Sequence, residues 1–336
     1  NAQGHLFHEH GDVDAAMRAA AHVFEHTFET ARTLHGYIEP RASLVWLDGD
    51  VVHVITTNKA PFALRDQMAA TLGIPADRIV VDAGHIGGDF GGKGLSTDEF
   101  ALYHLARATG RPVKCVQRYA DDAKGTNTRH ASRIRLRTGV DADGRILAHE
   151  ARVLLDGGAY AAGKPIVHLL PGDAMLTLAG YHVPSARVQA TTVYTNSVPA
   201  GHARAPGQPQ NAFAAESHLD LIAEALGIDP LELRLRNAIR PGQVDVHGRA
   251  WESSQVAPVL EALRRGSGWG TPLAPGRGRG IGRGVRHVGR GRTSLVLEVT
   301  ADGRIEVLTA GSDQGGGAHT MLQRIVAAEL EVPLDR

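Results

Sequence analysis

Cysteine is almost absent from this chain of 336 residues, and Cys115 is its only example. One cysteine excludes an internal disulfide, and it also excludes any iron–sulfur cluster or structural zinc site built on thiolates. Cys115 lies in the apolar run at residues 113–116, so we expect a buried and unreactive thiol.

The chain also lacks net charge, because Lys and Arg together number 36 and so do Asp and Glu. A neutral chain gives no support for broad attraction to nucleic acid or to an acidic membrane surface. No run reaches the roughly 18 apolar residues that could span a bilayer, and no signal segment opens the chain. We therefore expect no nucleic-acid partner, no membrane span and a reducing, cytoplasmic location.

Hydrophobic residues make up 43% of the chain and charged residues 21%, which is typical of a folded protein. One large or two ordinary domains can form at this length. The first residue is Asn1 rather than Met, and Arg336 follows a helix-like run. We expect both ends to be cut from a longer protein.

Hydrophobic periodicity and turn signals predict a mixed α+β fold with packed helices and mixed sheets. Helices are predicted at residues 12–26, 61–73, 97–109 and 210–226, after the cap Asp229-Pro230, and up to Leu330. Strands are predicted at residues 78–81, 113–117 and 186–194, around Asp48-Gly49-Asp50, and on either side of residues 141–144 and of Asp302-Gly303.

Residues 266–292 are rich in Gly and Arg and poor in apolar residues, which is typical of a connector. We expect a first domain at residues 1–265, then this connector, then the incomplete start of a related second domain at residues 293–336. A strand, a glycine-rich loop and a helix follow one another at residues 78–109 and again at residues 304–330. The pattern indicates two related loops that face one ligand.

The first glycine-rich loop runs from Gly87 to Gly94. Backbone N–H groups without side-chain cover favour an anionic ligand, whereas a tight structural turn is the alternative. Residues 87–93 match the start of a nucleoside-triphosphate loop, but Gly94 stands where Ser or Thr must ligate magnesium. Phe90 suits a wall beside a flat substrate better than a place around a triphosphate.

Two further patterns have plain structural interpretations. The connector resembles an arginine–glycine nucleic-acid segment, but it has no interleaved aromatic residue for base stacking, which favours a solvated linker. Its arginines are Arg277, Arg279, Arg283, Arg286, Arg290 and Arg292. His22 and His26 have helical spacing, yet Val23 occupies the position that a zinc protease gives to glutamate, so a metal site is not favoured.

Several motifs, in this order and spacing, resemble the molybdenum hydroxylase family of xanthine dehydrogenase, aldehyde oxidase and carbon monoxide dehydrogenase. The matching stretches are Gly36-Tyr37-Ile38-Glu39-Pro40, Gly87-Gly88-Asp89-Phe90-Gly91-Gly92-Lys93, Tyr194-Thr195-Asn196 leading to Arg204-Ala205-Pro206-Gly207, and Gly227-Ile228-Asp229-Pro230 through Arg236-Asn237. They cover nearly the whole chain. The resemblance implies the molybdopterin-binding fold of the family's large subunit, as a partial chain.

The resemblance also implies a cofactor, with molybdenum held through its pterin and not directly by side chains. The cytosine dinucleotide form of that cofactor is one option. The implied cofactor-binding residues are Gly88, Phe90, Gly91, Gly92, Arg204, Gly315, Gly316 and Gly317. Phe90, Gly94 and Pro206 are expected to line the substrate pocket.

The reaction implied by the family is hydroxylation of an electron-poor carbon, with oxygen from water and help from a glutamate base. That glutamate is expected beyond Arg336, so no catalytic residue is assigned within this chain. Electrons would leave through separate iron–sulfur and FAD subunits, because this chain lacks the cysteines for a cluster. A hetero-oligomer is implied, with a dimer of heterotrimers as one arrangement.

Departures from the family pattern narrow the expected substrate. Gly94 stands where purine-oxidising relatives have a glutamate, and residues 202–205 lack the cysteine of the carbon monoxide enzymes. An aldehyde or an N-heteroaromatic compound remains. A non-catalytic remnant or assembly protein of the same fold is the alternative, with nucleotide binding as a weaker third hypothesis.

Three more positions depart from the pattern. Asp89 replaces a glycine, and Lys59 and Gly316 stand where relatives have glutamine. A lysine cannot accept a hydrogen bond as glutamine does. Either the site is tuned for an unfamiliar substrate, or the alignment is off by one and Asn58 supplies the amide.

Overall fold

The computed structural model describes residues 2–94, 96–161, 169–285 and 292–335, so Arg286 and Arg290 of the predicted connector lie outside the described residues. The α+β prediction is confirmed. The helices are α1 (Val13–Ala19), α2 (Pro61–Leu72), α3 (Glu99–Thr109), α4 (Tyr119–Gly125), α5 (Leu169–Ala174), α6 (Gln208–Leu226), α7 (Pro230–Asn237), α8 (Val256–Gly266) and α9 (Ala318–Glu329). The strands are β1 (Ala2–His10), β2 (His22–Thr30), β3 (Ala42–Asp48), β4 (Val51–Thr56), β5 (Ile79–Asp82), β6 (Val113–Val116), β7 (Ser132–Val140), β8 (Ile146–Gly158), β9 (Ser185–Tyr194), β10 (Val296–Val299) and β11 (Ile305–Leu308).

The chain forms two compact units, each assembled from separate stretches of sequence. The first comprises Asn1–Thr33, Arg129–Ala200 and Ala205–His287, and the second comprises Leu34–Thr128, Gly201–Arg204 and Val288–Arg336. This division follows packing and not sequence order. The domain limits at residues 265 and 292 therefore stay a prediction.

The first unit contains a five-stranded sheet in the order β1-β9-β8-β7-β2. Strands β8 and β9 pair in parallel, and the other neighbours are antiparallel. Alternate residues of β7 and β8 are buried, and they pack with α6 in one apolar core. The turn after β7 reverses the chain at Gly144, which has a φ of 79°.

The prediction of one helix at residues 12–26 is wrong. Helix α1 ends at Ala19, and His22 begins strand β2, which pairs with β7 from His22–Val140 to Thr30–Ser132. Phe24, His26 and Phe28 alternate with exposed residues, as a strand requires. The helical periodicity came from the short α1, and sheet pairing decided the rest.

The second unit contains a four-stranded sheet in the order β5-β4-β3-β6, with β4 and β5 parallel. Helices α2 and α3 pack against this sheet in one apolar core that includes Val54, Leu64 and Leu102. Helix α2 starts with Pro61 and is capped after Leu72 by Gly73, a glycine with left-handed backbone, as predicted. Strands β10 and β11 form a separate hairpin, and Cys115 on β6 is only partly buried.

Candidate functional site

The first glycine-rich loop is organised around the buried carboxylate of Asp89, which is 3% exposed. Its Oδ2 atom accepts hydrogen bonds from Lys59 Nζ and from Gly91 N, both at 2.6 Å. Its Oδ1 atom accepts from Lys93 N, also at 2.6 Å. Burial alone would raise the pKa of this carboxyl, but the Lys59 ammonium and the two backbone donors together lower the pKa below its ordinary value.

A second ion pair, between the buried Lys93 and the partly exposed Glu39, also holds the loop. The side chain of Lys93 is fully buried, and its Nζ donates to Glu39 Oε2 at 2.6 Å. The same ammonium lies 4.7 Å from the ring centroid of Tyr37. Gly87 N also donates to Glu39 Oε2, at 2.8 Å. Lys93 is thus committed to Glu39, whereas a nucleotide loop needs a lysine that reaches phosphate.

Close packing requires the glycines of this loop. A Cβ atom at Gly87 would lie 2.7 Å from Glu39 Cβ, one at Gly91 would lie 2.8 Å from His202 O, and one at Gly92 would lie 2.6 Å from Tyr37 Cε1. The first and third approaches meet side chains, and the second meets backbone. The protein's own packing therefore accounts for these three glycines.

Phe90 lies at the tip of the loop with a left-handed backbone, φ 51°, and the residue is 42% exposed. Its carbonyl oxygen accepts a hydrogen bond from Arg204 N at 2.8 Å. Asn127 Nδ2 donates to His202 O at 3.2 Å, which holds the segment before Arg204. The structure therefore brings Phe90 together with the backbone of Arg204, two residues predicted from distant motifs.

The second glycine-rich loop is organised around Asp313. Its Oδ1 atom accepts from Gly315 N at 2.9 Å and from Gly317 N at 3.2 Å. These N–H groups are the main reason why the pKa of Asp313 is lowered. Asp313 O accepts from Ile86 N at 2.8 Å, so the two predicted loops are neighbours in the second unit.

The glycines of the second loop face open space, unlike those of the first. Gly315 and Gly317 have φ values of 94° and 72°. Apart from each glycine and its two chain neighbours, no heavy atom of the described residues lies within 4 Å of a Cβ placed at Gly315, Gly316 or Gly317. A cavity of about 630 Å³ is lined by residues that precede the two loops in the sequence, among them His85 and Ser312, and also by Phe62 and His319.

The other predicted site residues are placed as follows. Asn58 is 4% exposed, and its Oδ1 accepts from Ala60 N at 2.9 Å. The Lys59 side chain is 32% exposed, and Gly94 is exposed. Pro206 belongs to the first unit and is buried. The roles given to these residues in binding or in the substrate pocket stay predictions.

Sequence reasoning missed the carboxylates that organise the two loops. Glu39 was noted only as part of a motif, Asp89 only as a replacement of a family glycine, and Asp313 was not noted at all. Asp313 stands two residues before Gly315, a spacing at which Asp side chains bond the following backbone. That local signal could have been found. The bond to Ile86 could not, because it joins residues far apart in the chain.

Two features are absent from the described residues. No group of three or more His, Cys, Asp or Glu side chains in that part of the chain is placed to hold a metal ion. Within the same described ranges, no helix has the length and apolar character to cross a membrane. His22 and His26 lie on strand β2 and not on a helix.

Comparison with known protein families matches two domains to this chain. Residues 1–238 match one family described as a molybdopterin cofactor-binding domain, and residues 260–336 match a second family with the same description.

Named relatives agree with this match. The chain is 32% identical to a probable xanthine dehydrogenase subunit of Bacillus subtilis, over 96% of this chain and 45% of that protein. It is also 32% identical to the nicotinate dehydrogenase large molybdopterin subunit of Eubacterium barkeri, over 76% of this chain and 60% of that protein. The chain therefore spans less than two thirds of these relatives.

The aldehyde oxidoreductase structure from Desulfovibrio gigas superposes with a TM-score of 0.81 and 28% identity, over 98% of this chain and 38% of that one. Quinoline 2-oxidoreductase from Pseudomonas putida 86 has a TM-score of 0.83 at 23% identity, which shows the shared fold. It covers all of this chain and 46% of that chain. With both domain matches and these relatives, the chain belongs to the molybdenum-binding large subunits of the xanthine dehydrogenase and aldehyde oxidoreductase family.

Proposed function

We propose that this chain supplies cofactor-binding loops to a molybdenum hydroxylase, and that the complete protein oxidises an aldehyde or an N-heteroaromatic compound with oxygen from water. The observation that carries the proposal is the Ile86–Asp313 bond, which joins the two glycine-rich loops. An exposed Phe90, whose carbonyl accepts from Arg204 N, lies on the first of these loops.

The residues present fit a cofactor held through its pterin. Open space beside Gly315, Gly316 and Gly317 leaves room for a flat ring system at a backbone that carries no side chains. Gly88, Phe90, Gly91, Gly92 and Arg204 would border the same group from the first loop. When bound, the cofactor supplies the two-electron oxidation, and the protein supplies binding and orientation.

The substrate class follows from Phe90 and Gly94. An exposed aromatic ring can pack against a flat or apolar substrate. Gly94 offers no side chain that could hydrogen-bond a purine, which argues against xanthine. Pro206 is the proposed third residue of the pocket. Aldehyde and nicotinate are the substrates that the names of two relatives carry, and both classes stay within the proposal.

The wider assembly is part of the same proposal. Iron–sulfur and FAD subunits are the proposed electron acceptors, since residues 1–336 contain one cysteine and cannot hold a cluster themselves. The names of the relatives describe them as subunits, in line with a hetero-oligomer such as a dimer of heterotrimers. The cytosine dinucleotide form of the cofactor, a glutamate base outside residues 1–336 and a cytoplasmic location complete the proposal.

Metal content and a Phe90→Ala variant test this proposal. We expect the complete protein, purified with its neighbouring subunits, to hold about one molybdenum atom per large subunit by elemental mass spectrometry. Phe90→Ala should keep that metal and change the ratio of kcat/KM between a small aldehyde and a bicyclic N-heteroaromatic compound. The ring would form the pocket wall and would not hold the metal.

Phe7→Ala is the matched control, because Phe7 is an exposed phenylalanine on β1 of the first unit. It should change neither quantity. Metal-free protein from cells with a working pterin pathway would refute the proposal and favour a non-catalytic protein of the same fold. Loss of metal in Phe90→Ala alone would show that the ring holds the loop.

A further inference from the structure

Three residues that depart from the family motifs lie together in the second unit. Lys59 Nζ bonds Asp89 Oδ2 at 2.6 Å, and Lys59 N donates to Lys93 O at 2.9 Å. A Cβ atom at Gly94 would lie 3.2 Å from Lys59 Cε. Lys59, Asp89 and Gly94 are therefore neighbours in space, although Lys59 and Gly94 are 35 positions apart in the sequence.

Asp89 determines the backbone on both sides of Phe90. Its two carboxylate oxygens accept from Gly91 N and from Lys93 N, while Asp89 O accepts from Gly92 N at 2.8 Å. Phe90 has a φ of 51°, a left-handed conformation that is costly for a residue other than glycine and needs such support, and Gly91 follows with a φ of 99°. Three hydrogen bonds to one residue thus hold the turn.

The carboxylate of Asp89 needs a counter-charge, because its side chain is only 4% exposed. A buried charge without a partner is strongly destabilising. Lys59 supplies the positive charge. In the described residues near the loop, the remaining ion pairs are formed by Lys93 with Glu39 and by Arg41 with Asp122, so those charges are matched within other pairs.

Gly94 provides the space for the lysine. A contact of 3.2 Å between a new Cβ and Lys59 Cε is tighter than ordinary van der Waals contact. A Cβ atom at residue 94 would require Lys59 Cε to shift by a few tenths of an ångström beside Asp89. Glycine at residue 94 therefore leaves the Lys59 side chain free to lie beside Asp89 without a close contact.

We propose that Lys59, Asp89 and Gly94 act as one positioning unit that holds the turn carrying Phe90 and so sets the shape of the substrate site. None of the three is a catalytic residue. The effect on the loop is a property of this chain. The effect on substrate choice rests on the proposed function.

Amide hydrogen exchange of residues 85–94 in the intact protein tests the unit. Lys59→Gln and Asp89→Asn should each increase the exchange rates of the Gly91 and Lys93 amides by about tenfold. The first change leaves the buried Asp89 carboxylate without its cation, and the second replaces one of the two carboxylate oxygens that accept from these amides. The double variant, with two neutral amides, should exchange no faster than the faster single variant. Gly94→Ala should also increase the exchange rates of the Gly91 and Lys93 amides. In a Lys59→Ala background, Gly94→Ala should have no such effect.

Arg118 and Asp121 provide a matched control pair. Their side chains are 84% and 51% exposed, and they form an ion pair at 2.6 Å in the same unit. Arg118→Gln and Asp121→Asn should leave exchange at residues 85–94 unchanged. Effects of Lys59→Gln and Asp89→Asn that simply add would overturn the proposal.

Substrate preference shows whether the positioning unit acts on the substrate site through Phe90 or only stabilises the fold. Lys59→Gln should change the ratio of kcat/KM between a bicyclic N-heteroaromatic compound and a small aldehyde. The same substitution in a Phe90→Ala background should leave that ratio unchanged, since the unit acts through Phe90. A further change in that background would refute action through Phe90.

The two proposals can fail separately. If the effects of Lys59→Gln and Asp89→Asn on hydrogen exchange are not additive but the protein holds no molybdenum, the positioning unit is supported and the proposed function is refuted. If the protein holds molybdenum and is active but the two effects on hydrogen exchange are additive, the proposed function is supported and the positioning unit is refuted.

Discussion

Arg234 on α7 is fully buried, and its guanidinium is matched by neighbouring acceptors in the first unit. Nε donates to Glu216 Oε2 at 2.7 Å, and Nη1 lies 2.8 Å from Asp220 Oδ1. Tyr181 OH donates to the second oxygen of Glu216 at 2.8 Å. Burial raises the pKa of Tyr181, with a further contribution from the Glu216 charge. This group can be buried because each charge has a partner.

Removing Arg234 should be costly at the scale of one residue. Arg234→Ala leaves the carboxylate of Glu216 buried without its cation, and we expect a loss of about 3–5 kcal/mol in the free energy of unfolding. Urea denaturation followed by circular dichroism measures this loss.

Arg236→Ala is the control, since that guanidinium is partly exposed and bonds Glu232 Oε1 at 3.4 Å. It should cost less than about 1 kcal/mol. Equal losses for the two variants would contradict the burial argument.

Four elements of the first unit are joined by a chain of buried hydrogen bonds. His26 Nδ1 lies 2.7 Å from His218 Nδ1, and His218 Nε2 lies 2.9 Å from Thr138 Oγ1. Thr138 Oγ1 lies 2.9 Å from His149 Nδ1, and His149 Nε2 lies 3.0 Å from Thr177 Oγ1. The chain connects β2, α6, β7 and β8.

Burial holds the two inner histidines of this chain neutral. It lowers the pKa of His149 to about 3. The pKa of His218 is lowered to about 2, by burial first and then by the nearby His149 and His26. The pKa of His26 is also lowered by burial. An unfolded histidine has a pKa near 6.5, so only the unfolded chain takes up these protons at mildly acidic pH.

Stability should therefore fall as the pH falls below about 6.5. Each buried histidine contributes a slope of about 1.4 kcal/mol per pH unit, because the unfolded state binds one more proton than the folded state. The free energy of unfolding continues to decrease as the pH is lowered, until the pH reaches the pKa values of the histidines in the folded protein. Above pH 7 both states are neutral and this contribution is flat. Urea midpoints between pH 5 and 8 measure the slope.

His218→Gln should reduce this slope by the contribution of one histidine, about 1.4 kcal/mol per pH unit. His22→Gln should leave it unchanged, because His22 is exposed on β2. A slope that is the same in wild type and His218→Gln would show that His218 is protonated in the folded state.

At the scale of the whole molecule, the two units interleave along the sequence. Residues 34–128 and 288–336 belong to one unit, although most of the first unit lies between them in the chain. The Ile86–Asp313 bond crosses this interval. The second unit therefore depends on the end of the chain for part of its loop structure.

A chain ended after residue 285 tests this dependence. Its Ile86 amide loses the Asp313 acceptor, and we expect its hydrogen exchange to become faster by at least about tenfold. Amides of β7 in the first unit should keep their protection, since Arg283 and its contact with Tyr181 are retained. Unchanged protection of Ile86 would mean that the loop folds without Asp313.

Local signals were enough to predict most elements and the two glycine-rich loops. Pro61 and Gly73 bound α2, and Asp229 caps α7 by accepting from Leu231 N and Glu232 N, because such caps act within one turn. Residues 22–30 show the limit. Their strand depends on pairing with β7, about 110 residues away at Glu25 and Arg135.

The sequence by itself determined the α+β class, which follows from periodicity and caps, and it contained the motifs whose residues and order resemble the family. Only the tertiary structure decided how the charges are matched. Lys59 and Asp89 are 30 positions apart, and Lys93 and Glu39 are 54 positions apart. Each pair forms because burial makes an unmatched charge costly, and the identity of the partner depends on which segments pack together.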